Sequence, residues 1–593
     1  MHTPSSRSTA LPCAAACALV SLAAWVAMGS GVAYAQQAAP AATAHAVPWW
    51  RNAVIYEIYP RSFQDSNGDG IGDLNGITQR LDYLQSLGVD AIWIAPCYPS
   101  PQVDFGYDIS DYQAIDPVYG TLADFDRLLA EANRHHIRVI LDMVLNHTSD
   151  KHAWFVEAAG SRTSPKHDFY VWNDGHTDAA GHQLPPNNWI SLFGGSAWQY
   201  VPAVKQFYYH RFYRQQPDLN WRNPQVEQGM FAAMRFWLDR GVAGFRLDAI
   251  TALLEDPQLR DEPVLGGTNA QGDPNLKEIY VDNLPGNHDI IRRMRAMIDS
   301  YPGERLLVGE TYVGRTAQLY PWYGGAPHDE LQLPMDTLVG LDKRLDAERF
   351  RRLLSEAQSE LHGSQPLLVF DNHDNIRSWD RYGDGVHNAE IARIVAALLL
   401  TSRDAALLYQ GEEIGQVTAT PTRVEDVRDP IGITGWPKEK GRDGERTPMQ
   451  WDTSNTQAGF STNAHTWLPV TANYQTVNVQ TESADQASLL NWHRKLIALR
   501  RSSAALREGR TVMLDRANSH VLTYARVAAN GETVLVSLNM SAEPQTVSLG
   551  LAAAGLHGVH LKTLLASPEP IAAAAADQTV ALKPFAAWVA AVN

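Results

Sequence analysis

Eight near-continuous apolar runs recur along the chain after residue 49, and several of them end in polar residues. The runs cover residues 53–59, 90–96, 138–147, 244–250, 305–312, 331–337, 366–374 and 405–411. Segments with the spacing of amphipathic helices lie between them, for example residues 77–87, 121–134 and 225–240. Uninterrupted apolar runs are typical of parallel strands that are buried on both faces. The alternation therefore predicts an α/β fold with a parallel sheet.

Two stretches break this alternation and predict additional domains. Residues 148–215 are polar and aromatic without a long helical pattern, so we expect an inserted domain after the third strand. Beyond residue 500, short alternating runs are separated by turn residues, which predicts a C-terminal all-β domain. The predicted order is 48–147 for the first part of the α/β domain, 148–215 for the insertion, 216–500 for the second part and 501–593 for a β-sandwich.

One apolar run, residues 244–250, carries an arginine and an aspartate two positions apart, Arg246 and Asp248. Side chains at positions i and i+2 lie on the same face of a strand, so the two groups can touch. A neighbouring guanidinium lowers the pKa of a carboxyl group and keeps it ionised, as a carboxylate nucleophile requires. The alternative is a structural ion pair, which is the better reading of an isolated Arg-x-Asp pattern.

Other runs also end in residues that can do chemistry. His147 ends the third run, Glu310 follows Leu306-Leu307-Val308-Gly309, and His373 and Asp374 end the seventh run. A (β/α)8 TIM barrel collects the carboxyl ends of its strands, and hence its functional groups, at one face. We therefore expect these side chains to meet Asp248 there.

Four motifs in this order resemble those of the α-amylase superfamily of glycoside hydrolases. They are Asp-x-Val-x-Asn-His at 142–147, Gly-Phe-Arg-x-Asp at 244–248, Gly-Glu at 309–310 and Asn-His-Asp at 372–374. The strings at 216–220 and 441–451 resemble its α-glucosidase and oligo-1,6-glucosidase branch. The resemblance implies a TIM barrel with an inserted domain B after strand three and a C-terminal all-β domain.

The resemblance also implies a role for individual residues. Asp248 would be the nucleophile, Glu310 the general acid/base, and Asp374 the residue that binds sugar hydroxyls and stabilises the transition state. Apolar surroundings could raise the pKa of Glu310 towards that of a useful acid. The residues implied to bind substrate are Asp104, Tyr107, His147, Arg246, His373 and Arg442. Glu445, in the same loop as Arg442, has no role that the sequence explains.

The resemblance further implies an exo-acting, retaining α-glucosidase that releases glucose from maltose and short α-1,4-glucosides, with transglucosylation open. Asp104 and Arg442 would pair across the pocket and grip the non-reducing end of the sugar. Ala249, next to the nucleophile, favours α-1,4 over α-1,6 linkages, since relatives that prefer α-1,6 have Val there. The alternatives are an oligo-1,6-glucosidase, a sucrose or trehalose hydrolase, and a non-catalytic, transporter-associated binding protein. The three carboxylates favour an enzyme over the last of these.

Residues 65–73 have the oxygen donors of a calcium loop. Donors at positions 1, 3, 5 and 9 and Gly70 at position 6 match the front of an EF-hand, but position 12 is Gly76 rather than Glu. By resemblance to the oligo-1,6-glucosidase branch, a structural Ca²⁺ would be held by Asp65, Asn67, Asp69, the Ile71 carbonyl and Asp73. An Asx-rich turn without metal is the alternative.

Composition and charge narrow the surroundings in which the protein works. The formal charge is −16, which argues against nucleic acid or anionic membranes as partners and leaves neutral sugars compatible. Residues 1–35 resemble a secretory signal with an Ala33-Tyr34-Ala35 cleavage site, followed by a linker at 36–47, so we expect export to the periplasm or medium. An uncleaved membrane anchor is the alternative. The exported chain would keep only Cys97, which we expect to be a packing residue.

Overall fold

The computed structural model describes residues 47–556, 560–568 and 579–593. The predicted signal segment, residues 1–35, and all of the predicted linker except Val47 lie outside these residues.

Eight parallel strands close into a barrel in which each strand pairs with its neighbours in sequence. The strands are β1 Val54–Ile58, β2 Ala91–Ile94, β3 Arg138–Val144, β4 Gly244–Asp248, β5 Leu306–Gly309, β6 Leu333–Asp336, β7 Leu367–Val369 and β8 Ala405–Tyr409. All of their residues are buried except Arg138 at the start of β3. The predicted TIM barrel is confirmed, and its strands lie within the eight apolar runs.

Fourteen α-helices occur among the described residues. They are α1 Leu74–Gln79, α2 Leu81–Leu87, α3 Leu122–Arg134, α4 Ala153–Gly160, α5 Pro224–Arg240, α6 Gly286–Asp299, α7 Thr337–Gly340, α8 Ala347–Glu360, α9 Ser378–Tyr382, α10 Asn388–Thr401, α11 Pro430–Gly435, α12 Val479–Ala484, α13 Leu489–Ser502 and α14 Ala504–Glu508. Local sequence sets several ends. A capping box between Thr121 and Asp124 begins α3, and left-handed Gly241 (φ 106°) ends α5.

The single helix predicted for residues 77–87 is wrong in detail, because the chain forms two short helices there. Arg80 separates α1 from α2 with non-helical dihedral angles. Its Nε donates to Gln64 Oε1 at 2.7 Å, and its guanidinium lies 4.1 Å from the ring centre of Trp451. These tertiary contacts outweigh the continuous helical pattern of the sequence.

The insertion between β3 and α5 contains α4, a three-stranded antiparallel sheet and a small hairpin. The sheet pairs Trp172–Asn173, Gln206–Tyr209 and Trp198–Val201, and the hairpin pairs His176–Thr177 with Gln183–Leu184. Aromatic side chains form its core: Trp189, Trp198, Phe207 and Tyr209 are buried together. A second hairpin, Val264–Thr268 with Pro274–Leu276, follows β4.

The C-terminal region is all-β, as predicted. Its strands are β9 Arg510–Leu514, β10 Val521–Val527, β11 Thr533–Asn539, β12 Gln545–Ser548, β13 Leu561–Ser567, β14 Thr579–Leu582 and β15 Ala587–Val592. They form a five-stranded sheet in the order β9-β10-β11-β15-β13 and a two-stranded sheet of β12 and β14. Arg526 joins this region to the barrel, because its Nη1 donates to the carbonyl of Thr401 at the end of α10.

No helix in the described part of the chain is long and apolar enough to cross a membrane. Cys97 is fully buried after β2, and burial raises the pKa of its thiol to about 12. A protonated, buried thiol is a poor nucleophile. This environment agrees with the predicted packing role of Cys97.

Candidate active site

Arg246 on β4 brings three carboxylates from three adjacent strands together. Its Nη1 lies 2.6 Å from Asp248 Oδ1 and 3.1 Å from Asp142 Oδ1, and its Nη2 lies 2.6 Å from Glu310 Oε1. Asp142 belongs to β3, and Glu310 directly follows β5. The other Glu310 oxygen, Oε2, accepts a hydrogen bond from the Ala249 amide at 2.9 Å. One guanidinium therefore holds the predicted nucleophile and the predicted acid side by side.

The expectation that Asp248 has a lowered pKa is wrong for the net value, although Arg246 acts in the predicted direction. Burial raises the pKa of Asp248 to about 7, although Arg246 opposes the shift. Burial likewise raises the pKa of Glu310 to about 7, in the predicted direction, and that of Asp142 to about 6. One positive charge faces three buried carboxylates, so it cannot keep all of them ionised. The cluster of three carboxyl groups therefore holds an exchangeable proton near neutral pH, as acid/base chemistry requires.

Asp374 stays negatively charged because two guanidinium groups and an imidazole face it. Arg442 Nη1 lies 3.1 Å and Arg446 Nη2 2.7 Å from its Oδ1, and His373 Nε2 lies 3.3 Å from its Oδ2. Burial opposes ionisation, but His373, Arg442 and Arg446 hold the pKa of Asp374 well below its usual range. A carboxylate fixed in this way can accept hydrogen bonds from sugar hydroxyls but is not a proton donor at neutral pH.

Tyr107 and His373 stack beside these carboxylates. Their ring centres are 5.4 Å apart and nearly parallel, and Tyr107 Oη lies 2.7 Å from His373 Nε2 and 3.1 Å from Asp142 Oδ2. On its other side, His373 Nδ1 lies 2.5 Å from Glu57 Oε1. Burial lowers the pKa of His373 to about 3, so its ring is neutral at pH 7. The two rings are thus fixed from both ends.

Asp104 and Arg442 form the predicted ion pair, with Arg442 Nη2 lying 2.7 Å from Asp104 Oδ1. Gln216 Nε2 donates to the other Asp104 oxygen at 3.1 Å and also lies 3.0 Å from His147 Nε2. Burial lowers the pKa of His147 to about 4. Asp429 holds Arg442 from behind through contacts of 2.7 and 3.1 Å. All nine predicted catalytic and substrate-binding residues therefore lie in one connected network.

Several members of this network have no role in the sequence analysis, among them Glu57, Asp429 and Arg446. Glu57 orients His373, Asp429 orients Arg442, and Arg446 contacts both Asp374 and the carbonyl of His373. Glu57 could have been recognised from the sequence, because it is the one acidic residue in the apolar run of β1. It is fully buried, which is rare for a glutamate without a partner. Asp429 caps the amino terminus of α11, thirteen residues before Arg442, and nothing in the sequence marks their contact. Arg446 was within the quoted 441–451 loop but was given no role.

Glu445 points away from solvent, next to Arg446. It is buried, and its carbonyl accepts hydrogen bonds from Arg377 Nη2 at 2.8 Å and from the Tyr409 hydroxyl at 3.0 Å. Burial raises the pKa of the Glu445 carboxyl to about 8. The main chain of this residue thus anchors the loop that carries Arg442.

The predicted calcium loop is folded by its own hydrogen bonds. Asp65 accepts from the amides of Asn67, Gly68 and Gly70, and Asp73 caps α1 by accepting from the amide of Gly76. Among the described residues, no three His, Cys, Asp or Glu side chains converge as a metal site would require. The donor types suit calcium. Both Asp65 oxygens already accept two hydrogen bonds each, Oδ1 from the amides of Asn67 and Gly68 and Oδ2 from the Gly70 amide and the Ser461 hydroxyl, so a bound ion would have to replace some of them. Calcium binding stays a prediction that requires these side chains to converge.

The raised pKa of Glu310 predicts how stability depends on pH. The folded state holds the Glu310 proton up to about pH 7, whereas the usual pKa is 4.5. Its contribution is therefore fully present below pH 4.5 and is lost as pH rises to 7. We expect the stability of the wild type to fall relative to Glu310→Gln across this window, by roughly 3 kcal/mol at most. Thermal melts of both proteins test this, and a gap in Tm that does not change with pH would contradict it.

Comparison with known proteins places this geometry in a family. A family model described as "Alpha amylase, catalytic domain" matches residues 57–509. The probable alpha-glucosidase of Rhizobium meliloti (strain 1021) is 44% identical over 513 residues, which cover 84% of this chain and 91% of the relative. The oligo-1,6-glucosidase of Parageobacillus thermoglucosidasius is 37% identical over 520 residues, covering 82% and 90%. A crystal structure of the alpha-glucosyl transfer enzyme XgtA superposes with a TM-score of 0.82 at 40% identity, covering 92% and 100%.

The barrel, its linked carboxylates and these relatives define the class of protein as a glycoside hydrolase. The chain belongs to the α-amylase family, glycoside hydrolase family 13, since the family model spans most of its length. The resemblance seen in the four sequence motifs is confirmed.

Proposed function

We propose that this glycoside hydrolase is an exo-acting, retaining α-glucosidase that releases glucose from maltose and short α-1,4-glucosides. Glu310, when protonated, gives its proton to the leaving glycosidic oxygen. Asp248, when ionised, attacks the anomeric carbon, and a water activated by Glu310 later releases glucose with its configuration retained. Asp374 accepts hydrogen bonds from hydroxyls of the distorted sugar ring.

The shared guanidinium of Arg246 supports these roles. It contacts both Asp248 and Glu310, so loss of the proton from one carboxyl group favours protonation of the other. Retaining enzymes keep their two carboxyl groups only about 5–5.5 Å apart, whereas inverting enzymes leave room for a water between them. A pair bridged by one planar group suits the retaining arrangement.

The Asp104–Arg442 ion pair is the observation that carries exo action. Asp104 is buried, and Arg442 is fixed by Asp104, Asp374 and Asp429 at once. The ring centre of Phe193 lies 5.5 Å from the guanidinium carbon of Arg442 and adds an aromatic face at this end of the site. These contacts make this end of the site rigid. A sugar chain that extended beyond it could pass only by breaking a buried ion pair.

A capped substrate tests the proposal directly. The enzyme should release p-nitrophenol from p-nitrophenyl α-glucoside, but not from a p-nitrophenyl maltooligosaccharide whose non-reducing end is blocked. Proton NMR during hydrolysis of p-nitrophenyl α-glucoside should show α-glucose first, with the β-anomer appearing only through mutarotation. Cleavage of the blocked substrate would overturn exo action, and initial β-glucose would overturn retention.

Analysis of the products formed at high maltose concentration separates hydrolysis from transglucosylation. Transfer to a second sugar is supported by the XgtA relative, which is described as an alpha-glucosyl transfer enzyme. New trisaccharides in the product mixture would establish transfer, and glucose alone would exclude it.

Export is part of the proposal on the strength of residues 1–35. The mature amino terminus after expression in a host with a secretion pathway tests that part.

We also propose that the loop at residues 65–73 binds a structural Ca²⁺. An ion that binds only the folded state stabilises it by mass action, by about 2.7 kcal/mol at a hundredfold excess over Kd. Chelation should therefore lower Tm by several degrees, and added calcium should restore it. Asp69→Ala is the matched variant, because Asp69 is exposed and its loss should abolish the calcium response without unfolding the loop. Identical melting curves of the calcium-loaded and chelated wild type would contradict the proposal.

A further inference from the structure

A cavity of about 490 Å³ opens at the amino-terminal ends of the barrel strands, opposite the carboxylates of the active site. The residues just before three strands line it: Arg51 before β1, Gln365 before β7 and Arg403 before β8. Further side chains come from α6 and from the segments that precede β6 and β7. We call this space the amino-terminal cavity.

The side chains that line the amino-terminal cavity are basic. Three arginines and two histidines line it, Arg51, Arg295, Arg403, His328 and His362, and its lining includes no Asp or Glu from the part of the chain that the structure describes. The chain as a whole carries a formal charge of −16, so this concentration of arginines runs against the overall charge. A concave site with charges of one sign concentrates the field and attracts ions of the opposite sign.

Two of these arginines lie close together without an acidic partner. Arg51 Nε donates to Gln365 Oε1 at 2.5 Å, Gln365 Nε2 donates to the Arg403 carbonyl at 2.6 Å, and Arg403 Nη2 donates to the Gly363 carbonyl at 2.7 Å. These acceptors are all uncharged. Within residues 47–556, 560–568 and 579–593, no carboxylate lies within 4.0 Å of either guanidinium. Both keep further N–H groups for a ligand.

A buried hydroxyl in the same cavity lacks a hydrogen-bond partner. Tyr323 is only 2% exposed, and its Oη has no partner among the residues that the structure describes. The Ser364 hydroxyl, which also lines the cavity, is in the same situation. A buried polar group without a hydrogen-bond partner is unfavourable. A ligand that accepts hydrogen bonds from these two hydroxyls would therefore bind favourably in the cavity.

We propose that the amino-terminal cavity binds a phosphate monoester of a small, ring-bearing molecule. Arginine forks match the oxygens of a phosphate in pairs, and hydroxyl donors complete its shell. A volume of about 490 Å³ exceeds that of a lone phosphate and lies in the range of small-molecule sites. The half-buried indole of Trp50 also lines the cavity and offers a flat face for a ring.

Ribose 5-phosphate is a suitable probe, because it carries a ring and a phosphate but lacks the glucose that the catalytic pocket takes. Calorimetry and thermal melts at constant ionic strength should show saturable binding and a higher Tm. Inorganic phosphate should bind about tenfold more weakly, and ribose should not bind, if charge and ring both contribute. No saturable binding of ribose 5-phosphate would overturn the proposal. Equal affinity for inorganic phosphate would overturn the part that concerns the ester.

Three variants locate the binding site. Arg51→Gln and Arg403→Gln should each weaken ribose 5-phosphate binding about tenfold, since each removes one charge-assisted contact. Tyr323→Phe removes a hydroxyl that bonds to nothing in the structure, so it should fold normally and weaken binding about fivefold. Arg352→Gln is the control, because Arg352 is exposed on α8 and forms an ion pair with Glu356 on the same helix, outside the cavity. Binding that persists in the Arg51→Gln, Arg403→Gln double variant would overturn the assignment. So would competitive inhibition of glucoside hydrolysis by ribose 5-phosphate.

Discussion

Asp248→Ala and Glu310→Gln should each lower kcat by at least about 10³-fold, because members of one catalytic unit cannot replace each other. Asp248→Ala removes the group that forms the covalent intermediate. Glu310→Gln keeps the shape of the side chain, including an oxygen that can face the Ala249 amide, but removes the transferable proton. The loss should therefore come from chemistry and not from folding, and unchanged circular dichroism would verify that.

The two variants should differ in how they respond to a better leaving group and to an external nucleophile. Glu310→Gln should recover most on p-nitrophenyl α-glucoside, whose leaving group needs little protonation. Asp248→Ala should recover when azide is added, and its glucosyl azide should have the inverted configuration, because azide takes the place of the missing nucleophile. Either variant retaining more than a tenth of the wild-type kcat on maltose would contradict the assigned role.

The positions of these carboxylates could be predicted because they depend on local sequence. Each lies at the end of an apolar run, and the barrel topology brings the carboxyl ends of parallel strands to one face. The strand bounds follow from the same pattern: β4 at Gly244–Asp248 is the run in which Arg246 and Asp248 were first noticed. The contact between Arg246 and Asp248 then follows from the i, i+2 geometry of a strand.

The electrostatics of the site could not be predicted in this way. Burial raises the pKa of Asp248, and the charge of Asp142 from β3, which contacts the same guanidinium, raises it further. A pairwise reading of Arg246 and Asp248 therefore gave the wrong sign. The contact between Asp429 and Arg442 could not be predicted either, because the two residues are thirteen positions apart and their contact depends on how the segment between them folds. Burial and contacts between segments determine these pKa values and ion pairs. The residue pattern of a single segment therefore does not predict them.

Ala249→Val should shift the ratio of kcat/KM towards isomaltose by about tenfold or more, within the 1–3 kcal/mol that one or two methyl groups contribute in a pocket. Ala249 directly follows the predicted nucleophile, is 9% exposed, and donates its amide to Glu310. Two added methyl groups there narrow the space for an aglycone joined through O4. An O6 linkage has an extra rotatable bond that lets its aglycone avoid them. The wild type should accordingly prefer maltose.

The backbone at Ala249 adds a cost that the sequence did not reveal. Its φ of 48° and ψ of 33° place it in the left-handed region, which strongly disfavours a β-branched side chain. Ala249→Val should therefore also lower stability, by roughly 1–2 kcal/mol. Ala249→Gly is the matched control, since glycine relieves the strain and opens the pocket, so it should raise Tm without favouring isomaltose. Kinetics on both disaccharides and thermal melts separate the two effects. A wild type that cleaves isomaltose faster than maltose, or a Val variant with an unchanged ratio, would refute this account of linkage preference.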